Sequence, residues 1–223
     1  GRSMPMLISR GCPYQCTFCS SPNMWTTKWQ ARKPDCVLDE MEHYIKKYKA
    51  QNFDFYDLTT IVRKDWIMEF CKKLIDKKWN ITWQMPAGTR SEALDDETLG
   101  LMVSSGQRNI SYAPESGSKE TLQKIKKKIK IDRMKQSIKS ALSKNMNVKL
   151  NLMMGFPHET HKDIFQTLRF IKDAAVLGVH DAYVACFAPY PGSELFEELH
   201  KNGKISKMDD EYFLNLTSYS DLL

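Results

Sequence analysis

Short apolar runs alternate with amphipathic helical stretches six times along this 223-residue chain, and that alternation restricts the fold more than any other feature. Residues 5–9, 53–58, 80–85, 108–113, 147–154 and 181–188 read as strands. Between and after them, helical spacing is predicted over 36–49, 64–77, a segment opening at Asp95, 118–127, 132–144, 160–177 and 193–201. Leu38, Met41, Ile45 and Tyr48 share one face of the first helix, and Ile67, Phe70, Cys71 and Leu74 one face of the second. In the long helix the spacing predicts Ile164, Leu168, Ile171 and Ala175 inward. Glu97 falls in a first turn, where negative charge suits the helix dipole. Six βα units in succession imply an α/β fold with a parallel sheet and right-handed crossovers. Strand 147–154 chooses between an open and a curled sheet. Its Val148, Leu150, Leu152 and Met154 supply an apolar floor for helices and leave Lys149 and Asn151 on the other face. A polar inner face suits a curled (β/α)6 partial TIM barrel of parallel strands, with chemistry at the C-terminal strand ends. The reading takes residues 1–223 as one such barrel, without internal repeats beyond the βα alternation.

The chain is long enough to bury roughly 70% of its unfolded surface, and 42% hydrophobic with 27% charged residues is a globular balance. No stretch approaches the ~20 apolar residues of a membrane span, and Gly1-Arg2-Ser3-Met4 lacks the apolar core of a signal peptide. A soluble cytoplasmic protein is the expectation. The formal charge is +6, and much of the lysine lies in one run from Lys124 to Lys139. A solvated helix face is the reading of that run, and nucleic acid is not expected as a partner. Of six cysteines, Cys36, Cys71 and Cys186 stand alone in apolar or amphipathic segments and are predicted to be buried, inert thiols.

The other three fall within eight residues, in Ser9-Arg10-Gly11-Cys12-Pro13-Tyr14-Gln15-Cys16-Thr17-Phe18-Cys19-Ser20, directly after the first strand. Three thiolates spaced C-x3-C-x2-C can hold three corners of a cubane. A complete structural cluster takes four cysteines, so one iron is left open to a small molecule. A zinc knuckle would need Cys36 or His43 as its fourth ligand, and neither offers a second paired-ligand spacing. His158, His161, His180 and His200 read as ordinary surface or loop residues.

C-x3-C-x2-C with an aromatic, Phe18, before the last cysteine resembles the signature of the radical S-adenosylmethionine (SAM) enzymes. Cys19-Ser20-Ser21-Pro22, then Trp25, Trp29, Ala31-Arg32 and Pro34, resemble the cobalamin-associated class of that family. So do Thr89-Arg90, Glu115-Ser116-Gly117-Ser118, Gly155-Phe156-Pro157-His158-Glu159-Thr160 and Pro189-Tyr190-Pro191-Gly192-Ser193. The class includes the anaerobic magnesium-protoporphyrin ester cyclase and many methyltransferases. The resemblance implies a [4Fe–4S] cluster on Cys12, Cys16 and Cys19. SAM would chelate its open iron, and an electron would release a 5′-deoxyadenosyl radical that abstracts a substrate hydrogen. It implies methyl transfer or ring formation at an unactivated carbon of a small-molecule substrate, and a reductant such as flavodoxin or ferredoxin. Phe18, Arg90, Glu115, Met154 and Gly155 are the further cofactor-binding candidates. Gly155 offers close backbone approach to adenine without a Cβ, and Arg90 suits the SAM carboxylate or Glu115. Departures are Thr26, where the class often has glycine, and Asp57-Leu58, where it often has an acidic pair, which places no functional role on Asp57. In that class a cobalamin-binding domain precedes the barrel, so the resemblance implies that this chain is a fragment of a longer protein and that cobalamin is a candidate cofactor of that longer protein. A tRNA methylthiotransferase-like enzyme and a non-catalytic Fe–S or zinc protein are the alternatives. The first would need a further cluster domain and an RNA-binding module.

Overall fold

A computed structural model describes residues 1–90, 94–205 and 207–216. Strand β1 (Arg2–Met6) leads to a two-residue strand β2 (Ser9–Arg10), helix α1 (Ser21–Met24), strand β3 (Gln30–Ala31) and helix α2 (Pro34–Tyr48). There follow β4 (Ala50–Phe55), α3 (Lys64–Asp76), β5 (Thr82–Thr89), α4 (Asp96–Ser104) and β6 (Gln107–Glu115). After α5 (Lys119–Lys124) and α6 (Ile131–Ser143), the chain continues as β7 (Asn147–Met154), α7 (His161–Val176), β8 (Asp181–Cys186), α8 (Glu194–Lys201) and α9 (Asp210–Asn215). Six strands pair in parallel in the order β1-β4-β5-β6-β7-β8, while β2 and β3 form a separate antiparallel pair. The sheet is an open barrel: β1 and β8 are its two edges. Among the described residues no helix is long and apolar enough to cross a membrane.

The two faces of the sheet differ in the way the β7 alternation predicts. Val148, Leu150 and Leu152 are buried with Phe53, Phe55, Trp83 and Tyr112 in one core. Ile67 and Phe70 of α3, Leu99 and Met102 of α4 and Ile138 of α6 join it. The other face carries a ladder of polar side chains. Asn52 donates to Ser3 Oγ at 2.7 Å, and Thr82 donates to Asn52 Oδ1 at 2.9 Å. Gln84 donates to Asp54 Oδ1 at 2.7 Å, Asn109 to Gln84 Oε1 at 2.9 Å, and Asn147 to Asn109 Oδ1 at 2.9 Å. The ladder crosses β1, β4, β5, β6 and β7 near their N-terminal halves. Each amide finds a partner on the next strand, so this face needs no helix to satisfy it.

Three expectations are corrected. The first sheet strand is Arg2–Met6, because Ser9 and Arg10 leave the main sheet to pair with β3. Cys36 lies exposed in the first turn of α2, and Cys186 lies exposed on the edge strand β8; only Cys71 is buried, its thiol pushed up to about 12 by desolvation. Helix α7 is turned relative to its apolar spacing. Asp163, Thr167, Phe170 and Ala174 face inward, while Leu168 is 47% exposed and Ala175 is exposed. The cause lies in the loop after β6. Gly117 N–H donates to Thr167 Oγ1 at 3.0 Å, the Ser116 and Thr167 hydroxyls bond at 2.9 Å, and Ser118 donates to Asp163. Buried donors and acceptors need those partners more than Leu168 needs the core.

Two outcomes follow from this junction. A Cβ at Gly117 would lie 2.6 Å from Phe170 Cβ and 2.7 Å from Gln166 O. Gly117→Ala should therefore cost about 1–3 kcal/mol, read as a lower denaturant midpoint. The Ser118 and Thr160 hydroxyls hold the Asp163 carboxyl down to about 2, from an ordinary 3.8. Its contribution is then complete above the unfolded value and lost as pH falls through the folded one. Asp163→Asn should lower the melting temperature at neutral pH and flatten its decline between about pH 4 and pH 2, checked by melting curves across that range.

Candidate functional site

The three closely spaced cysteines leave the barrel at its C-terminal rim, on a loop held from three sides. Asp57 holds its entrance. The carboxylate is 1% exposed and accepts the Ile8 N–H at 3.1 Å, the Ser9 N–H, and the Ser9 hydroxyl at 2.6 Å. Burial pushes its pKa up, against those hydrogen bonds. A Cβ on Gly11 (φ +76°) would meet the Lys28 carbonyl oxygen at 2.2 Å, so the residue before Cys12 is confined to glycine. At mid-loop the Thr17 N–H donates to the Ile125 carbonyl at 3.1 Å, and the Leu195 N–H donates to the Thr17 carbonyl at 2.9 Å. Beyond Cys19, Ser20 donates to Pro191 O at 2.9 Å and Asn23 to Gly192 O at 2.7 Å. The Pro189–Ser193 turn thus serves as a brace. Cys12, Cys16 and Cys19 are half-buried free thiols.

Two buried cations face this loop. Arg90, 6% exposed, follows β5; its guanidinium lies 3.6 Å over the Tyr14 ring and donates to the Lys128 carbonyl. Glu115 ends β6 with φ +65°, and Lys127 Nζ stands 2.8 Å from its Oε1, at 8% and 13% side-chain exposure. Burial raises the Cys12 and Cys16 thiols, and the charges of Arg90 and Lys127 oppose that rise. Both cations therefore favour thiolate, the form that binds metal.

The remaining candidates sit beside this group. Strand β7 ends at Met154, and the N–H groups of Gly155 and Phe156 donate to Glu159 Oε2 at 2.7 and 3.1 Å. Phe18 packs on Phe156, ring centroids 5.8 Å apart, at the edge of a second apolar core with Phe187, Leu195 and Phe196. Phe18 and Cys19 also line a cavity of about 660 Å³ with Met153, Tyr183 and Cys186. Sequence reasoning named the cysteines, Arg90, Glu115, Met154 and Gly155, and the structure brings all of them to one rim. It missed Lys127, Asp57 and Glu159. Lys127 is one of five lysines between 124 and 130, and only its burial separates it from the others.

The donor set suits an iron–sulfur cluster. It consists of soft thiolates alone. Among the described residues no three His, Cys, Asp or Glu side chains converge on a single metal-ion position.

Residues 6–171 match the Radical SAM superfamily. The chain belongs to this superfamily. It is 25% identical over 206 residues to the anaerobic magnesium-protoporphyrin IX monomethyl ester cyclase of Rubrivivax gelatinosus, covering 92% of this chain and 36% of that one. Against the cytidylyl-2-hydroxyethylphosphonate methyltransferase of Streptomyces wedmorensis the identity is 28% over 214 residues, covering 93% and 39%. Among solved structures it is similar to the radical SAM methyltransferase TsrM from Kitasatospora setae with cobalamin and a [4Fe–4S] cluster bound. There the TM-score is 0.77 at 14% identity, covering 92% of this chain and 41% of that one. The chain spans less than half the length of each of these proteins. Radical SAM proteins use a [4Fe–4S] cluster and SAM, and the cobalamin-bound neighbour has the same partial barrel.

Asp57→Ala tests the loop entrance. Ile8 and Ser9 would lose the acceptor of three buried donors, each worth about 1–3 kcal/mol. The variant should melt well below the parent and retain less iron after anaerobic reconstitution, with Asp57→Asn in between.

Proposed function

We propose that this chain is the catalytic barrel of a radical SAM enzyme that works on an unactivated carbon of a small-molecule substrate, by methyl transfer or ring formation. The observation that carries the reading is the meeting, at one rim, of the three-cysteine loop, Arg90 and the Lys127–Glu115 pair. Cys12, Cys16 and Cys19 would hold the cluster. When bound, cluster and SAM together supply a carbon radical able to take hydrogen from an unactivated C–H bond. The chain's own residues position and shield that chemistry. Arg90 presents a planar guanidinium fixed by the Tyr14 ring, a shape that matches the SAM carboxylate. Glu115 offers a carboxylate to the SAM ammonium or ribose hydroxyls, and Lys127 Nζ, 2.8 Å from its Oε1, holds it in place. Gly155 admits the flat adenine close to the backbone, and Phe18 walls that side from water. Relatives named as methyltransferases and as a cyclase support both reaction types. Cobalamin in a longer native protein, and a one-electron donor such as flavodoxin or ferredoxin, complete the proposal.

Anaerobic reconstitution should give about four irons and four sulfides per chain, and Cys16→Ala should lose most of them. The reduced protein should then convert SAM to 5′-deoxyadenosine. One tight zinc without sulfide would end this reading.

Glu115→Gln should weaken SAM binding by roughly 10- to 150-fold, the equivalent of one charge-assisted hydrogen bond, with iron content unchanged. Equilibrium dialysis on cluster-replete protein measures it. Unaltered affinity with an earlier melt would make the Lys127–Glu115 pair purely structural.

A further inference from the structure

The chain's positive charge is concentrated in one place. Residues 119–135 hold eight Lys or Arg and two Asp or Glu, a net +6 that equals the formal charge of all 223 residues. The rest of the chain is therefore neutral overall. This segment comprises α5, the connection after it and the start of α6. Ile125, at the C-terminal end of α5, accepts the Thr17 N–H from the middle of the cysteine loop. The basic stretch thus lies directly behind the cysteines.

Its surface is built unevenly. Lys124 and Lys126 pair with Glu120 and Glu194. Lys119, Lys128 and Lys130 are exposed, and no ion pair involves them among the described residues. Lys119 and Lys130 rim a cleft of about 400 Å³ whose walls include Leu122, Ile129 and Ile131. Lys127 also lines this cleft, while its Nζ holds Glu115 inside the barrel. One residue therefore separates the floor of an electropositive recess from the group beside the cysteines.

We infer that this face is the docking surface for a small acidic one-electron carrier, a flavin or iron–sulfur protein, that reduces the cluster. The inference rests on the radical SAM reading above. In the step, the carrier is oxidised by one electron and the cluster reduced by one; no covalent bond forms or breaks. A carrier seated on the α5–α6 face needs no opening of the barrel, because the loop's own backbone is bonded to the segment it touches. Opposite net charges raise encounter rates by about 10- to 1000-fold at low salt, and unpaired rim lysines act on that rate. A solvated helix face alone would not require the charge to gather at the one segment bonded to the cysteine loop.

The test uses reduced flavodoxin as the probe and the triple variant Lys119→Glu, Lys128→Glu, Lys130→Glu. Two quantities are read: flavodoxin affinity by sedimentation, with and without the cluster, and the rate of cluster bleaching in stopped flow. At low salt the variant should bind at least 10-fold more weakly and be reduced at least 10-fold more slowly, within the range for charge steering. Dithionite should reduce parent and variant alike, and raising salt should erase the parent's advantage. A control triple, Lys47→Glu, Lys72→Glu, Lys172→Glu, places the same charge change on α2, α3 and α7 and should behave like the parent. Unchanged affinity and rate in the first triple, or an equal loss in the control, would overturn the inference. So would RNA binding lost in the first triple while flavodoxin reduction is retained, which would assign the face to nucleic acid. Should the cluster reading fail instead, iron would be absent and dithionite would bleach nothing, yet the affinity arm would still report on docking. If the glutamate triple unfolds, the Lys→Gln triple replaces it, with a smaller loss expected in the same two readouts.

Discussion

Thr17 makes two backbone hydrogen bonds, and much of the rim is arranged around them. Its N–H goes to Ile125 at the end of α5, and its carbonyl receives Leu195 from the first turn of α8. These partners belong to the βα units of β6 and β8, far along the sheet from β1, which the loop follows. The sheet leaves β1 and β8 unpaired with each other. The loop therefore bridges strands that no ladder joins. Tyr14 and Phe18 anchor the loop against Arg90 and Phe156, and the rest of its order comes from backbone partners on rigid elements. Asp57 fixes one end of the loop, Pro191 and Gly192 the other, and Thr17 the middle. With all three in place the thiols share one rim before any cluster is bound, which lowers the ordering cost of binding it.

The same economy governs the sheet. Its outer face buries large side chains under helices, and its inner face carries amides and carboxylates that satisfy one another across neighbouring strands. A doubly wound sheet would have to bury Asn52, Asp54, Gln84 and Asn109 under helices, where every unmet polar atom costs about 1–3 kcal/mol. A curled sheet leaves them on its inner face, where Asn52 and Gln84 stay partly exposed and Asn109 exposed. The fold class could be read from β7 alone because Val148, Leu150 and Leu152 alternate cleanly with Lys149 and Asn151. Seven helix positions and five of the six sheet strands were legible where expected, most of them long enough for their period to show. The elements that escaped are short: the two-residue strands β2 and β3, the four-residue α1 and the six-residue α9.

Where the sequence misled, polar bonding had overridden apolar spacing. Ile164, Leu168, Ile171 and Ala175 are a consistent helical stripe, yet the inward face runs through Asp163 and Thr167, because Ser116, Gly117 and Ser118 bond there. Ile171 still reaches the core from its flank. No single-segment pattern carries that information, since the partners lie about 50 residues apart. The site divides similarly. The cysteines declare themselves by spacing, and Arg90 and Glu115 by their place at strand ends. Lys127 is hidden among exposed lysines, and Asp57 reads as an unremarkable residue until its three buried donors are seen.

The rim also departs from regular geometry at the places that matter for chemistry. Strands β6 and β7 pair in register from Asn109 to Tyr112, while β5 and β6 shift once near their N-terminal ends, between Trp83 and Gln84. Near the C-terminal ends the register shifts between Met85 and Thr89, and again between Tyr112 and Glu115. Each shift contains a proline, Pro86 in β5 and Pro114 in β6. Proline cannot donate to a ladder, so in a central strand it is confined to a bulge. A bulge bends its strand and re-aims the side chains beyond it. The residues beyond these two are Arg90 and Glu115. Glu115 pays for its aim with a left-handed backbone, a conformation of order 1–3 kcal/mol above the regular one for a residue with a Cβ. It is then buried against Lys127, and a buried pair of charges is weak support for stability on its own. Strain, an interrupted ladder and a desolvated ion pair at one residue oppose folding together. The proposed role of Glu115 in holding SAM would account for their coincidence beside the cysteine loop.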